Sequence, residues 1–102
     1  MSPDLEANIS LVRKSRVYSS ILEALYTSPN GSALDAVIIR DHLRPNGINL
    51  TEEKYRQAKA ELVHRELVKV VVSGYPGQSR ITETGKNLID QMVERRLIRK
   101  PS

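Results

Sequence analysis

Apolar residues recur every three or four positions in several parts of the chain, which is the period of an amphipathic helix. Two such stripes lie within residues 3–26 without a glycine or proline between them, so one long helix and two shorter ones are both compatible with this segment. Pro29 and Gly31 then break the pattern. A short helix follows, which Asp35 is suited to cap and which ends near Leu43, just before another proline.

The clearest helical pattern begins at Thr51, a residue type that favours the N-cap position. Acidic side chains occupy the first turn, where they interact favourably with the helix dipole. Tyr55, Ala58 and Leu62 share one face, and polar side chains occupy the opposite face. We therefore predict a helix over residues 51–66, with the ring of Tyr55 in the core and its hydroxyl group at the surface.

A run of β-branched residues over 67–73 predicts a strand, and residues 80–82 provide its partner after the interruption Gly-Tyr-Pro-Gly. Pro76 followed by Gly77 predicts a type II turn, which needs a positive φ at the glycine. Two isolated strands are only marginally stable in water. The hairpin is therefore expected to pack its valine side on the helices, and residues 33–34 are left open as a third strand.

A last helix is predicted after Thr82, which can cap it, because apolar residues recur at helical spacing as far as Val93. The resulting order is helix, short strand, helix, turn, helix, strand, turn, strand, helix. This order predicts an α+β fold, mostly helical: a winged helix-turn-helix with a two- or three-stranded wing and extra terminal helices. We divide the chain into an N-terminal helical extension, the winged-helix domain, and a C-terminal helix with a basic tail, over residues 1–16, 17–84 and 85–102.

Two short motifs resemble those of the winged helix-turn-helix superfamily, in particular of MarR-like and PadR-like transcriptional regulators. "AELVHRELVKVVV" is similar to the end of a recognition helix that runs into the first wing strand, and "RITETGKNLI" is similar to the segment after the wing. The similarity covers about residues 17–89 and departs at Glu66, where a helix-ending glycine is usual. In PadR-like proteins the terminal helices pair two subunits, so the resemblance implies a homodimer held by the terminal helices.

Length and composition argue against a membrane-spanning, a secreted and a disulfide-linked protein. The chain of 102 residues suits one domain, has no apolar run long enough to span a membrane, and lacks a secretory signal at its start. It contains no cysteine, which excludes disulfides and thiolate metal sites and is compatible with the cytoplasm, where we expect the protein to act. The net charge is +4, and the positive excess lies entirely beyond Leu67.

An enzyme is not expected. The chain has no cysteine nucleophile and no glycine-rich phosphate loop after a strand, and neither histidine has an obvious serine and aspartate partner. His42 and His64 lie on different predicted helices without a third ligand at metal spacing. We therefore predict no metal site and no cofactor.

The predicted arrangement favours DNA binding, because a helix fits the major groove and its polar side chains reach the base edges. Arginine pairs with guanine and glutamine with adenine in bidentate geometry, so we expect Arg56 and Gln57 to read the sequence. We predict a small dimeric transcriptional regulator, a repressor, that binds double-stranded DNA sequence-specifically, with the helix over 51–66 in the major groove and the hairpin over 68–82 as the wing. The predicted DNA-binding residues are Thr51, Lys54, Arg56, Gln57, Lys59 and His64 in the helix, and Lys69, Tyr75, Gln78, Ser79 and Arg80 in the wing.

Two alternatives stay open at this point. Glu52, Glu53 and Glu61 share the predicted helix and repel phosphate, so its basic residues also fit an ordinary solvated face. The same balance of charge fits a winged-helix module that binds other proteins and does not bind DNA. Tyr75, at the hairpin tip, fits a partner contact and plain exposure to solvent equally well.

Overall fold

The computed structural model describes residues 4–74 and 76–101 of the chain. In these ranges the chain forms five α-helices and a small antiparallel sheet of three strands, which confirms an α+β, mostly helical fold. The helices are α1 (Leu5–Arg13), α2 (Arg16–Tyr26), α3 (Asp35–Ile38), α4 (Glu52–His64) and α5 (Glu83–Glu94). The strands are β1 (Ser32–Leu34), β2 (Val68–Val72) and β3 (Gln78–Ile81).

Short turns complete the helical part. A 3-10 turn, Pro29–Gly31, precedes β1, and α3 continues into a π-helical turn, Ile39–Leu43, and a further 3-10 turn, Arg44–Asn46. The N-terminal segment forms two helices rather than one. Ser15 separates them because its backbone is extended, with φ −135°, and its hydroxyl group accepts a hydrogen bond from the N–H of Tyr18 at 3.4 Å.

The sheet has the order β1–β3–β2, and both pairs of strands are antiparallel. Residues 33–34 therefore do provide the third strand. Lys69 on β2 pairs with Arg80 on β3. The register shifts between Val70 and Val72, so β2 carries a bulge at this point.

One core collects apolar side chains from all the helices named above and from the sheet. Helix α1 contributes Ile9 and Val12, and α5 contributes Leu88, Ile89 and Met92, all of them buried. Full burial of such a side chain stabilises the fold by about 1.5–3 kcal/mol. The terminal helices are therefore integral parts of this core, and their apolar stripes are covered within the subunit.

Most of the valine side of the hairpin is not packed on the helices, contrary to the prediction. Val68 is buried, whereas Val70, Val71 and Val72 are 39%, 48% and 51% exposed. The hairpin is held instead by the pairing of β3 with β1 and by hydrogen bonds to the buried carboxylate of Asp35.

The prediction of a type II turn at Pro76 and Gly77 is wrong. The hairpin glycine with a positive φ is Gly74, at 96°, whereas the φ of Gly77 lies outside the left-handed region. Gly77 is needed for a different reason, because an added Cβ would lie 2.3 Å from the carbonyl oxygen of Val72. Tyr75, the predicted tip residue, lies outside the described residues.

Helices α4 and α5 are both followed by a residue other than glycine in the left-handed conformation: Glu66 has φ 62° and Arg96 has φ 58°. The N–H of Glu66 donates to the carbonyl oxygen of Val63 at 2.9 Å. The next N–H, of Leu67, donates to the carbonyl oxygen of Leu62 at 3.0 Å, which completes a Schellman motif. The chain therefore turns out of α4 at the predicted position without the usual glycine.

Replacing Glu66 by glycine should stabilise the protein. The left-handed conformation costs an L-residue about 1–2 kcal/mol, and the conformational entropy that glycine loses on folding offsets part of this gain. We expect Glu66→Gly to raise the free energy of unfolding by about 0.5–1 kcal/mol in urea denaturation. Ala60→Gly, on the exposed side of α4, should lower it by about 1 kcal/mol. A loss of stability in both variants would contradict this account of the helix end.

Candidate nucleic-acid interface

Helix α4 turns one face to the core and the other to solvent, as its apolar pattern predicts. Tyr55, Ala58 and Leu62 are buried. Arg56 and Gln57 lie on the exposed side of the same helix. The two side chains predicted to read DNA are therefore both accessible.

The start of α4 combines a cap with opposing charges. The hydroxyl oxygen of Thr51 accepts a hydrogen bond from the N–H of Lys54 at 3.2 Å, so Thr51 is the N-cap, as predicted. Both side chains are exposed. The amide groups of a first helical turn favour a phosphate, whereas the exposed carboxylates of Glu52 and Glu53 repel it.

Arg56 and Gln57 each contact an acidic side chain one turn earlier in α4. The Nη1 atom of Arg56 lies 3.7 Å from a carboxylate oxygen of Glu52. The amide nitrogen of Gln57 lies 3.5 Å from a carboxylate oxygen of Glu53. Contacts of this length between exposed side chains contribute less than about 1 kcal/mol, so both side chains can exchange them for other partners.

Lys69 and Arg80 face each other across β2 and β3. Both are exposed, while Val68 and Ile81, the next pair along the strands, are buried on the opposite face of the sheet. Cross-strand partners on one face have Cβ atoms about 4.5–5.5 Å apart, and like charges in this position repel each other. A bound anion would remove that repulsion, so the pair is suited to a phosphate group.

An open cleft of about 430 Å³ runs between α4 and the hairpin. Arg56 and His64 line it from the helix, Ser73 and Gly74 line it from the hairpin, and Val70 adds apolar surface. The structure thus brings Arg56 and His64 beside the hairpin tip. It does not bring them to the basic pair of β2 and β3, which points to the outer face of the sheet.

A buried carboxylate joins three elements behind this surface. Asp35, the first residue of α3, is fully buried. From α4 it accepts hydrogen bonds from the hydroxyl group of Tyr55 at 2.9 Å and the ammonium group of Lys59 at 2.8 Å. From the hairpin it accepts hydrogen bonds from the hydroxyl group of Ser79 at 2.9 Å and the N–H of Gly77 at 3.1 Å. Each oxygen receives two donors, which fills the accepting capacity of the carboxylate.

This network changes how several residues are assigned. Asp35 is not the N-cap of α3, because Leu34 occupies that position, and the hydroxyl group of Tyr55 lies inside rather than at the surface. The side chain of Lys59 is only 11% exposed and is paired with Asp35. Ser79 is 1% exposed. We therefore leave Lys59 and Ser79 out of the interface.

The sequence contains a signal for this network that the prediction missed. Asp35 stands between apolar residues, with residues 33–34 before it and residues 36–39 after it, which indicates an enclosed segment. A charge in an enclosed segment needs a partner of opposite sign. Lys59 follows Tyr55 by one helical turn, so it lies close to the buried face of α4 and is within reach of such a partner.

Of the other predicted wing residues, Gln78 is described by the structure and stays in the interface. The amide group of Gln78 donates to the hydroxyl oxygen of Ser32 at 2.8 Å and is partly buried, and Tyr75 lies outside the described residues. We call the described residues that are left the candidate surface: Thr51, Lys54, Arg56, Gln57 and His64 on α4, and Lys69, Gln78 and Arg80 on the hairpin.

Comparison with known proteins gives no relative for this chain: no family model, no curated protein and no solved structure matches it. Within residues 4–74 and 76–101, no group of three histidine or acidic side chains is arranged to hold a metal ion. No helix in these ranges is both long enough and apolar enough to cross a membrane.

Replacing Lys59 should destabilise the protein strongly. Lys59→Met leaves the carboxylate of Asp35 buried without a counterion, and breaking a buried pair in this way costs about 3–5 kcal/mol. Lys54→Met removes the same charge from an exposed position of α4 and should change the free energy of unfolding by less than about 0.5 kcal/mol. Urea denaturation of both variants measures the difference. Equal stability of the two variants would show that Asp35 does not depend on Lys59.

Proposed function

We propose that this chain is a winged helix-turn-helix protein that binds double-stranded DNA. The order of elements supports this, because α2, β1, α3, α4, β2 and β3 follow one another as in a winged helix and β3 lies in the middle of the sheet. Helix α3 continues through the turns over residues 39–46, and a short segment that begins at Gly47, where φ is 76°, connects this helical stretch to α4. This stretch and α4 form the helix-turn-helix pair, and α1 and α5 are the additional terminal helices.

The exposed face of α4 is the observation that carries the proposal. An α-helix fits the major groove, and on this one Arg56 and Gln57 present the groups that pair with guanine and adenine. Their contacts with Glu52 and Glu53 are long and exposed, so exchanging them for base contacts costs little.

The hairpin supplies phosphate contacts in this proposal. Lys69 and Arg80 repel each other in the free protein, and a phosphate group beside them relieves the repulsion. Such contacts add affinity for any sequence and weaken as salt is added. Because Glu52 and Glu53 oppose phosphate at the start of α4, we expect weak non-specific binding and a strong dependence on the base contacts.

We further propose a homodimer, held by the terminal helices, that acts as a repressor. Two copies related by a twofold axis would read a pseudo-palindrome with half-sites roughly 34 Å apart. The apolar stripes of α1 and α5 are buried within the subunit. In the proposed dimer, the two subunits therefore have to meet through apolar side chains that are only partly buried near the ends of α1 and α5, such as Leu5, Leu97 and Ile98.

A second candidate function, a module that binds another protein, is favoured by one observation. Val70, Val71 and Val72 expose apolar surface on β2, which is an edge strand of the sheet. Edge strands with free backbone groups can pair with another chain. Such a module would ignore duplex DNA at every salt concentration, so a measurement of DNA binding separates the two functions.

Fluorescence anisotropy with random and genomic duplexes, at about 50 mM and about 200 mM salt, tests the proposal directly. We expect binding that falls by at least about tenfold between the two salt concentrations, with a subset of sequences still bound at the higher one. Absence of binding to any duplex at the lower salt concentration would favour the protein-binding module instead.

Replacing Arg56 should weaken and relax recognition. We expect Arg56→Ala to cost about 1–3 kcal/mol of binding free energy and to loosen the preference at one base pair. Arg13→Ala removes the same charge from the exposed side of α1 and should change neither quantity much. Lys69→Ala and Arg80→Ala should weaken binding to all sequences alike. Selection from random duplexes that returned the same preferred site for Arg56→Ala would exclude Arg56 as a reading residue.

Light scattering tests the homodimer. At micromolar concentration the protein should have twice the chain mass of 11.5 kDa. Ile98→Asp places a charge among the partly buried apolar side chains and should shift the mass toward that of one chain, whereas Lys100→Asp, at an exposed position, should not. A wild-type protein with the mass of a single chain would contradict the proposed homodimer.

A further inference from the structure

We propose that Asp35 is a positioning residue for DNA binding: it fixes the hairpin relative to α4, so that both elements meet the duplex in one geometry. This role rests on the proposed function. The Oδ1 atom of Asp35 accepts one hydrogen bond from Tyr55 on α4 and one from Ser79 on the hairpin. The Oδ2 atom likewise accepts one hydrogen bond from Lys59 on α4 and one from the N–H of Gly77 on the hairpin. Each oxygen therefore bridges the two elements.

The outer half of the hairpin has little else to hold it beside α4. Val70, Val71 and Val72 are exposed, and an open cleft lies between the helix and the hairpin tip. Strand β1 pairs with β3 but leads directly into α3, so it fixes the hairpin relative to α3. Asp35 extends this link to α4, and its own N–H donates to the carbonyl oxygen of Gly77 at 2.9 Å.

Stability alone does not account for the network. Burial of a carboxylate and an ammonium group carries a desolvation cost that their attraction repays only in part, and apolar side chains of similar volume stabilise a core at least as well. Apolar contacts are not directional, whereas hydrogen bonds constrain both distance and angle. Four hydrogen bonds to one carboxylate thus define the angle between the hairpin and α4, which is what a two-part DNA contact requires.

The same double substitution, made in the wild-type protein and in a variant of Asp35, separates a positioning role from a stabilising role. In the wild-type protein, Lys69→Ala combined with Arg80→Ala removes two phosphate contacts, so the slope of log K against log salt should become shallower by about 2 per subunit. In an Asp35→Asn background the outer half of the hairpin loses its carboxylate link to α4, and the same double substitution should change the slope by less than about 0.5. Ser79→Ala removes one hairpin donor and keeps the Asp35–Lys59 pair, which provides a second background should Asp35→Asn not fold.

Ser32→Ala is the matched control, because Ser32 accepts a hydrogen bond from Gln78 in the same sheet and its hydroxyl group makes no hydrogen bond to Asp35. The full effect of the double substitution should persist in this background. An equally full effect in the Asp35→Asn and Ser79→Ala backgrounds, with only a lower melting temperature, would overturn the positioning role and leave the proposed function intact. A wild-type protein that binds no duplex would overturn both.

Discussion

The buried carboxylate of Asp35 is the interaction on which the rest of the structure depends. A charge inside a protein is tolerated when it is paired and its hydrogen-bonding capacity is filled. Here α4 and the hairpin fill it between them. Asp35 is the first residue of α3, so the carboxylate lies where α3, α4 and the hairpin meet. The position of α4 and that of the hairpin are therefore not independent of each other.

This arrangement divides the charges of α4 into an inner and an outer set. Lys59 belongs to the inner set, where it neutralises Asp35. Lys54, Arg56 and His64 belong to the outer set, together with the acidic residues of the first turn, so that the outer face is close to neutral. A neutral face attracts phosphate weakly, so in the proposed function the affinity for DNA depends mainly on base contacts. The charge of Lys59 is thus used inside the fold and is absent from the candidate surface.

The junction between α4 and the hairpin is fixed by a second set of polar contacts. Glu66 has a left-handed backbone conformation, with φ 62°, which is strained for a residue other than glycine. Its carbonyl oxygen accepts a hydrogen bond from the hydroxyl group of Thr82 at 2.6 Å, and the carbonyl oxygen of Leu67 accepts one from the N–H of Thr82 at 3.1 Å. The end of α4, the start of β2 and the start of α5 are therefore joined at one point, and these bonds hold a backbone that would be unfavourable alone.

The sequence by itself determined the features that depend on neighbours along the chain. Periodicity and caps predicted α4 and α5 closely, because these are local geometric consequences of residue order. Only the tertiary structure decided the roles of Lys59 and Ser79. Lys59 lies close to the buried face of its helix, and whether it turns to a phosphate outside or to a carboxylate inside depends on Asp35, 24 positions earlier. That partner comes within reach only when α3, α4 and the hairpin pack together, and local periodicity carries no information about this packing.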